Sequence, residues 1–270
     1  MVVGTGGFAS GPLLYIAAQL KIPTLIQEQN SYPGITNKLL SSKVNTICVA
    51  HDGLDRFFPE NKIVLTGNPV RKGISQHKKD LDKACAHFGL EKNKPTVLIL
   101  GGSLGAKAIN EYVLENLKWF QDNDVQLLWQ TGSLYYETCA QQAELLNYPG
   151  VVVKDFIYQM DLAYAVAHVA VSRAGASTLS EMCLAGLPVI LVPSPNVAED
   201  HQTKNAQALA DKDAAILVKE TELPLRLFPA LKDLVTNDDK REAMQERIAS
   251  LGKPKATEHI VDCIEKLMHG

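Results

Sequence analysis

Short β-branched runs alternate with longer helix-patterned stretches along the whole chain. That alternation confines it to layered α/β architectures with parallel sheets. The pattern predicts strands over Thr24–Glu28, Asn45–Ala50, Lys62–Thr66, Thr96–Leu100 and Val125–Gln130. It predicts further strands over Val151–Val153, His168–Ser172, Val189–Val192 and Ala214–Val218. Helical periodicity marks Ile35–Ser42, Asp80–Phe88, a stretch ending near Leu117, Leu134–Leu146 and a final amphipathic segment from Ala256 to Met268. Met1-Val2-Val3 precedes Gly4-Thr5-Gly6-Gly7 directly and is short for a first strand. The chain therefore reads as one that begins inside a domain.

A turn-rich segment, Gly67-Asn68-Pro69-Val70-Arg71-Lys72-Gly73, divides the chain. Pro69 biases Asn68 away from helix. The polar stretch Ser75 to Asp82 follows. From Pro95 onward the units suffice for a complete sheet, whereas the part before Gly67 supplies about half of one. The expected organisation is a partial N-terminal Rossmann-like domain over residues 1–71, a C-terminal one over 72–253, and a last helix, 254–270, packing back on the first.

Composition narrows the class. The chain has 270 residues, 46% apolar and 21% charged, with a net charge of −3. These values fit a globular protein with a sizeable core and give no sign of a nucleic-acid partner. Five widely spaced cysteines, odd in number and without a CxxC pair, indicate neither a zinc site nor a disulfide framework, and suggest a reducing cytoplasm. No apolar run approaches ~20 residues, so no spanning helix is expected, although amphipathic helices could still touch a membrane surface.

Three glycine loops carry the chemical signal. Gly4-Thr5-Gly6-Gly7-Phe8-Ala9, followed by Ser10-Gly11-Pro12, satisfies a dinucleotide fingerprint, and Glu28 ends the next strand where a ribose-binding acid would stand. This supports an NAD-dependent oxidoreductase; a plain strand–helix turn explains it equally. Gly101-Gly102-Ser103-Leu104-Gly105-Ala106 joins a clear strand to a clear helix, and the Ser103 hydroxyl suits phosphate. It is not an NTPase P-loop, because no Gly-Lys-Ser/Thr follows.

The third loop is Ser172-Arg173-Ala174-Gly175-Ala176-Ser177-Thr178-Leu179-Ser180-Glu181. Thr178 and Glu181 have capping-box spacing, which predicts a helix start near Thr178. First-turn amides attract anions, and a carboxylate in the same turn can accept from the vicinal hydroxyls of a ribose. Glu181 therefore reads either as a nucleotide-sugar ligand or as a cap for its own helix. Among the remaining polar residues, Gln202 and Asn205 could bond sugar hydroxyls, Arg71 could meet phosphate, and Asp200 could instead be an N-cap with the rest a solvated face. His51, His77, His87 and His168 lack metal-ligand spacing and read as structural or surface residues.

The three loops, with Gln27-Glu28-Gln29-Asn30, Gly67-Asn68-Pro69-Val70-Arg71 and Asp200-His201-Gln202-Thr203-Lys204-Asn205-Ala206, resemble the MurG family in order and spacing over essentially the whole chain. The resemblance implies a GT-B fold, with two Rossmann-like domains facing across a cleft and the N-terminal one incomplete here. It implies inverting, β-1,4-forming transfer of N-acetylglucosamine from UDP-N-acetylglucosamine to lipid I, making lipid II for peptidoglycan, with no cofactor or metal. It places the enzyme on the inner face of the bacterial cell membrane as a peripheral cytoplasmic protein. By the same resemblance Glu181 would hold the uridine ribose and Ile157 would meet uracil through its backbone. Ser103 and Arg71 would contact the pyrophosphate beside the amides of Ala176, Ser177, Thr178, Leu179 and Ser180. Asn30 and Gln202 would bond the sugar hydroxyls.

Family members carry roughly ninety further residues before the position of Met1, including a His implicated in acceptor chemistry. The resemblance therefore identifies no catalytic base. The chain alone is expected to bind UDP weakly and to transfer no sugar. Three other readings stand: a donor-binding subunit acting with a separate N-terminal part, a different GT-B glycosyltransferase, and the oxidoreductase.

Overall fold

A computed structural model describes residues 1–74, 80–102 and 104–269. Ser103, His77 and part of the polar stretch 75–82 lie outside the described residues. The strands are β1 (Val2–Gly4), β2 (Thr24–Glu28), β3 (Thr46–Val49), β4 (Ile63–Leu65), β5 (Thr96–Leu100), β6 (Gln126–Gln130), β7 (Val151–Lys154), β8 (Val169–Ser172), β9 (Val189–Leu191) and β10 (Ile216–Leu217). The helices are α1 (Ser10–Gln19), α2 (Ile35–Leu40), α3 (Leu81–Phe88), α4 (Lys107–Glu115), α5 (Lys118–Asp122), α6 (Tyr136–Leu146), α7 (Met160–Val166), α8 (Ala176–Ala185), α9 (His201–Ala210), α10 (Leu223–Thr236), α11 (Asp238–Ser250) and α12 (Ala256–His269).

Among the described residues the strands form two all-parallel sheets. The first runs β1-β2-β3-β4. The second runs β10-β9-β8-β5-β6-β7. Counted from its own first strand, the second sheet has the doubly wound order 3-2-1-4-5-6, whose reversal lies between β5 and β8. Strand pairing follows the alternation in the sequence closely. Val97, Ile99, Leu127, Trp129, Val169 and Val171 enter one core layer with residues of α4, α5 and α10. Leu98, Leu100, Leu128 and Ala170 enter the other with α3, α7, α8 and α9. A sheet covered on both faces needs apolar side chains of both parities, which explains its unbroken apolar runs.

The first sheet is thinner. Ile26, Ile47 and Val49 pack with Leu14 of α1 and Leu40 of α2. Cys48 points the other way and meets Cys263 of α12; burial and that neighbour push the Cys48 thiol up to about 12. Gly67 lies so close to Lys253 and Ala256 that a Cβ there would fall 2.4 Å from the lysine Cβ. The last helix thus returns to the first sheet. Val2–Gly4, short as it is, does form a strand, because Val2 donates to Pro23 O and the three residues pair in register with Thr24, Leu25 and Ile26.

Several boundaries differ from the sequence-based expectation. The helix expected to run to about Leu117 is α4, which ends at Glu115, as Asn116 leaves helical geometry with φ −114° and ψ 18°, and a separate short helix, α5, follows it. The stretch Ala214–Val218 pairs only through Ile216 and Leu217. The Thr178–Glu181 capping box does not form. Helix α8 starts at Ala176 with Gly175 at its N-cap and no side-chain cap, so Thr178 and Glu181 sit inside its first turns.

Candidate functional site

The carboxyl edges of the two sheets face one another, and the loops there knit the halves together. Asn205 of α9 is fully buried, and its Oδ1 accepts from Ser31 N at 2.9 Å and from Ser31 Oγ at 3.0 Å. Its Nδ2 donates to Asn30 Oδ1 at 3.0 Å and to Ala174 O at 3.3 Å. Asn205 is therefore a strut between the halves rather than the sugar ligand the sequence suggested. Asn68 donates to Ser180 Oγ at 3.0 Å and to Gln29 O at 3.0 Å, and accepts from Gln27 Nε2 at 2.7 Å. Asp52 and Lys212 close the seam further out, at 2.9 Å.

At the reversal of the second sheet, the loops after β5 and β8 diverge and open a crevice, where ligands of such sheets bind. Beside it Gly105 and Gly132, in the loops after β5 and β6, pack backbone to backbone, so that a Cβ on Gly132 would fall 2.3 Å from Gly105 N. Only glycine permits that approach of backbone to backbone. Gln130 joins two walls by donating to Gly102 O at 3.0 Å and accepting from Ile157 N at 2.9 Å. Ile157 is 2% exposed. With its N–H committed to Gln130, the carbonyl is the group Ile157 can offer a base. Gln130 gave no signal in the sequence beyond ending a strand.

Helix α8 points its amino end at the crevice. The amides of Ala176, Ser177 and Thr178 precede the first intrahelical bond, which Leu179 N makes to Gly175 O at 3.0 Å. Ser177 is exposed, while Leu179 is buried in the core at 1%. The Ser180 hydroxyl donates to Ala176 O at 2.9 Å while accepting from Asn68. Leu179 and Ser180 therefore set the depth and tilt of the helix, and the preceding turn carries the free donors.

Glu181, 7% exposed, sits one turn further on. Arg71 Nε donates to its Oε1 at 2.8 Å, and Tyr164 Oη donates to its Oε2 at 2.8 Å. Burial and the adjacent carboxylate raise the Tyr164 phenol well above its ordinary value, so it remains a donor at neutral pH. Arg71, a candidate for phosphate, bonds Glu181 through Nε and keeps its side chain half exposed. Gln202 lies at the start of α9, where its Oε1 accepts from Ser194 N at 2.9 Å, leaving its amide nitrogen to donate. Asn30 is fixed by Glu28, whose Oε1 accepts from Asn30 N at 3.0 Å and Nδ2 at 3.3 Å.

Glu28 itself is 2% exposed, and its Oε2 accepts from Gly34 N at 3.1 Å and Asn37 Nδ2 at 2.7 Å. Its carboxylate organises the 29–34 loop with both oxygens taken by protein donors, whereas a dinucleotide fingerprint requires an acid open to the ribose hydroxyls. Asp200, the other candidate cap, makes no side-chain cap bond to α9. His51 lines a cavity of about 420 Å³ between the halves, with Ser31, Tyr32, Asp52 and Lys204. Burial lowers the His51 imidazole to about 4. Among the described residues no group of three or more His, Cys, Asp or Glu has the geometry of a metal site, and no helix is long and apolar enough to cross a membrane.

The arrangement joins anion-binding amides, an anchored carboxylate, a backbone carbonyl for a base and polar side chains across a cleft. Comparison with known proteins places the chain among glycosyltransferases. Residues 96–260 match the glycosyltransferase family 28 C-terminal domain, and residues 1–49 match the glycosyltransferase family 28 N-terminal domain. The chain is 49% identical over 268 residues to a UDP-N-acetylglucosamine–N-acetylmuramyl-(pentapeptide) pyrophosphoryl-undecaprenol N-acetylglucosamine transferase of Flavobacterium psychrophilum, covering 99% of this chain and 72% of that protein. A protein of the same description from Bacteroides fragilis is 49% identical over 269 residues, covering 99% and 71%. Among solved structures, MurG of Acinetobacter baumannii superposes with a TM-score of 0.79 at 32% identity, covering 98% of this chain and 74% of that one.

Proposed function

Because the chain belongs to the MurG family, we infer that it transfers N-acetylglucosamine from UDP-N-acetylglucosamine to lipid I, forming lipid II for peptidoglycan. The observation that carries the reading is the crevice at the β5–β8 reversal, with α8 amides at its floor and the anchored Glu181 beside them. The reaction is a single displacement with inversion. The acceptor hydroxyl attacks the anomeric carbon, the bond from that carbon to the UDP oxygen breaks, and the hydroxyl proton passes to a base. Negative charge grows on the departing pyrophosphate, and amides already aimed at it lower the barrier without reorganising.

Uracil would lie against the Ile157 carbonyl and the ribose against Glu181. The pyrophosphate would lie at Ala176, Ser177 and Thr178, with Ser103 and Arg71 at its flank. Asn30 and the Gln202 amide would meet the sugar. Glu28, with both oxygens occupied by the 29–34 loop and Asn37, supplies no base. On this assignment residues 1–71 form the acceptor side, 72–253 the donor side, and 254–270 the strap that rejoins them. The protein would work at the cytoplasmic membrane surface as a peripheral enzyme, a placement supported by the lipid-linked acceptor in its relatives' names and by the apolar face of α1, where Leu13, Ile16 and Leu20 are exposed.

Thermal melts test the donor. UDP and UDP-N-acetylglucosamine should raise the melting temperature, since a ligand that binds only the folded state stabilises it by mass action. NAD should leave it unchanged. A shift with NAD and none with UDP would replace the transferase reading by the oxidoreductase one.

A further inference from the structure

Tyr164 is 1% exposed, and its ring lies in the core cluster that contains Leu100, Leu162, Leu179 and Met182. Phenylalanine would fill that space without bringing a hydroxyl into an apolar layer, which costs free energy unless the hydroxyl is bonded. The Tyr164 hydroxyl has one partner of consequence, the Glu181 Oε2 at 2.8 Å. On the other side of the carboxylate, Arg71 Nε takes one site on Oε1 at 2.8 Å. An ionised carboxylate offers about four acceptor sites, two on each oxygen. Among the described residues Tyr164 and Arg71 each take one, on different oxygens, which leaves one site on each. Two adjacent acceptors on one rigid plane match the spacing of a vicinal diol.

The two holders differ in kind. Arg71 comes from the segment joining the two sheets, and its side chain is 49% exposed. Its hold is weakened by solvent. Tyr164 is on α7 beneath the second sheet, packed in the same core layer as α8. The carboxylate therefore has one buried and one solvent-exposed support.

We propose that Tyr164 is a positioning residue for nucleotide recognition: it locks the Glu181 carboxylate so that one acceptor site on each oxygen faces the 2′- and 3′-hydroxyls of the donor ribose. The proposal rests on Glu181 being the ribose ligand. Locking a ligand group before binding removes the ordering cost that binding would otherwise carry.

The test is a titration series by calorimetry with UDP and 2′,3′-dideoxy-UDP, on the full chain and on Tyr164→Phe, Glu181→Gln and the double variant. The unaltered chain should prefer UDP by at least roughly tenfold, the scale of hydrogen bonds to a charged group. Tyr164→Phe should weaken UDP several-fold, leave dideoxy-UDP within about twofold, and so shrink the preference. In the Glu181→Gln background, Tyr164→Phe should cost UDP nothing further, because its route of action is already gone. That background also removes the buried charge which Tyr164→Phe would leave under-bonded, so it keeps the comparison available if the single variant unfolds. A Tyr164→Phe chain that melts lower but keeps the full preference for UDP would show a packing role only and overturn the proposal. So would an additive loss in the double variant. Absence of any preference in the unaltered chain would instead remove Glu181 from the ribose, and the proposal with it.

Discussion

Glu181 is a buried carboxylate held by a partner from each half of the molecule, and its substitution separates binding from stability. Glu181→Gln should weaken UDP by about 1.5–3 kcal/mol, the range for hydrogen bonds to charged groups. A purely structural role, holding Arg71 and Tyr164, would lower the melting temperature and leave UDP affinity level, and titration beside thermal melts distinguishes the two. In the sequence, Thr178 and Glu181 fit a capping box as well as they fit a helix interior. Their true setting depends on Arg71, 110 residues away, and on Tyr164 in a different helix. No local pattern encodes either contact. His51 offers a second residue-scale test. Its folded-state value of about 4 lies below the ordinary 6.5, so the unfolded chain binds the extra proton first as pH falls. Stability is then fully present above pH 6.5 and declines toward pH 4, by up to about 3 kcal/mol for this group. Burial lowers His168 in the same direction, so it adds to the same limb. Melting temperature measured from pH 7.5 to 4.5 should show the decline, and His51→Gln should flatten it.

At the scale of elements the sequence is most readable where short apolar runs are bounded by polar or turn residues. Thr24–Glu28 and Thr96–Leu100 form strands at the residues their apolar runs mark. Helix starts are less readable, because α8 begins on Gly175 and Ala176 without any side-chain cap. Helix α1 departs from ordinary amphipathicity. Leu14 and Ala17 are buried, whereas Leu13 and Ile16 on the adjoining face, with Leu20 at the C-cap, are 62%, 52% and 67% exposed. A helix apolar beyond its buried face needs further cover, and the membrane surface is the cover assigned to it above. Leu13→Lys with Ile16→Lys should therefore cut sedimentation with anionic phospholipid vesicles several-fold, at ~0.8 kcal/mol per buried methylene. The melting temperature should stay within a degree or two, since neither residue enters the core. Unchanged vesicle binding would take α1 out of the membrane contact.

Two parallel sheets with facing carboxyl edges make a cleft only because the seam holds them in register. That seam is the least legible feature of the sequence. Asn205 and Ser31 are 174 residues apart, and nothing in either neighbourhood signals the pair. A residue that looked like a sugar ligand proves to be a strut, because a fully buried amide finds its partners in protein. Asn205→Ala should leave the Ser31 amide without its partner, lower stability by about 1–3 kcal/mol, and weaken UDP-N-acetylglucosamine more than UDP, since Asn30 loses its support on the sugar side. Paired melts and titrations read both effects. The central claim, that donor recognition is built at the β5–β8 reversal around Glu181, is tested most directly by a crystal structure of the chain with UDP-N-acetylglucosamine. The account predicts the ribose hydroxyls on the Glu181 carboxylate, with Tyr164 still bonded to it, uracil at the Ile157 carbonyl and the pyrophosphate over the amides of Ala176, Ser177 and Thr178. A nucleotide seated elsewhere, or a ribose facing away from Glu181, would contradict it.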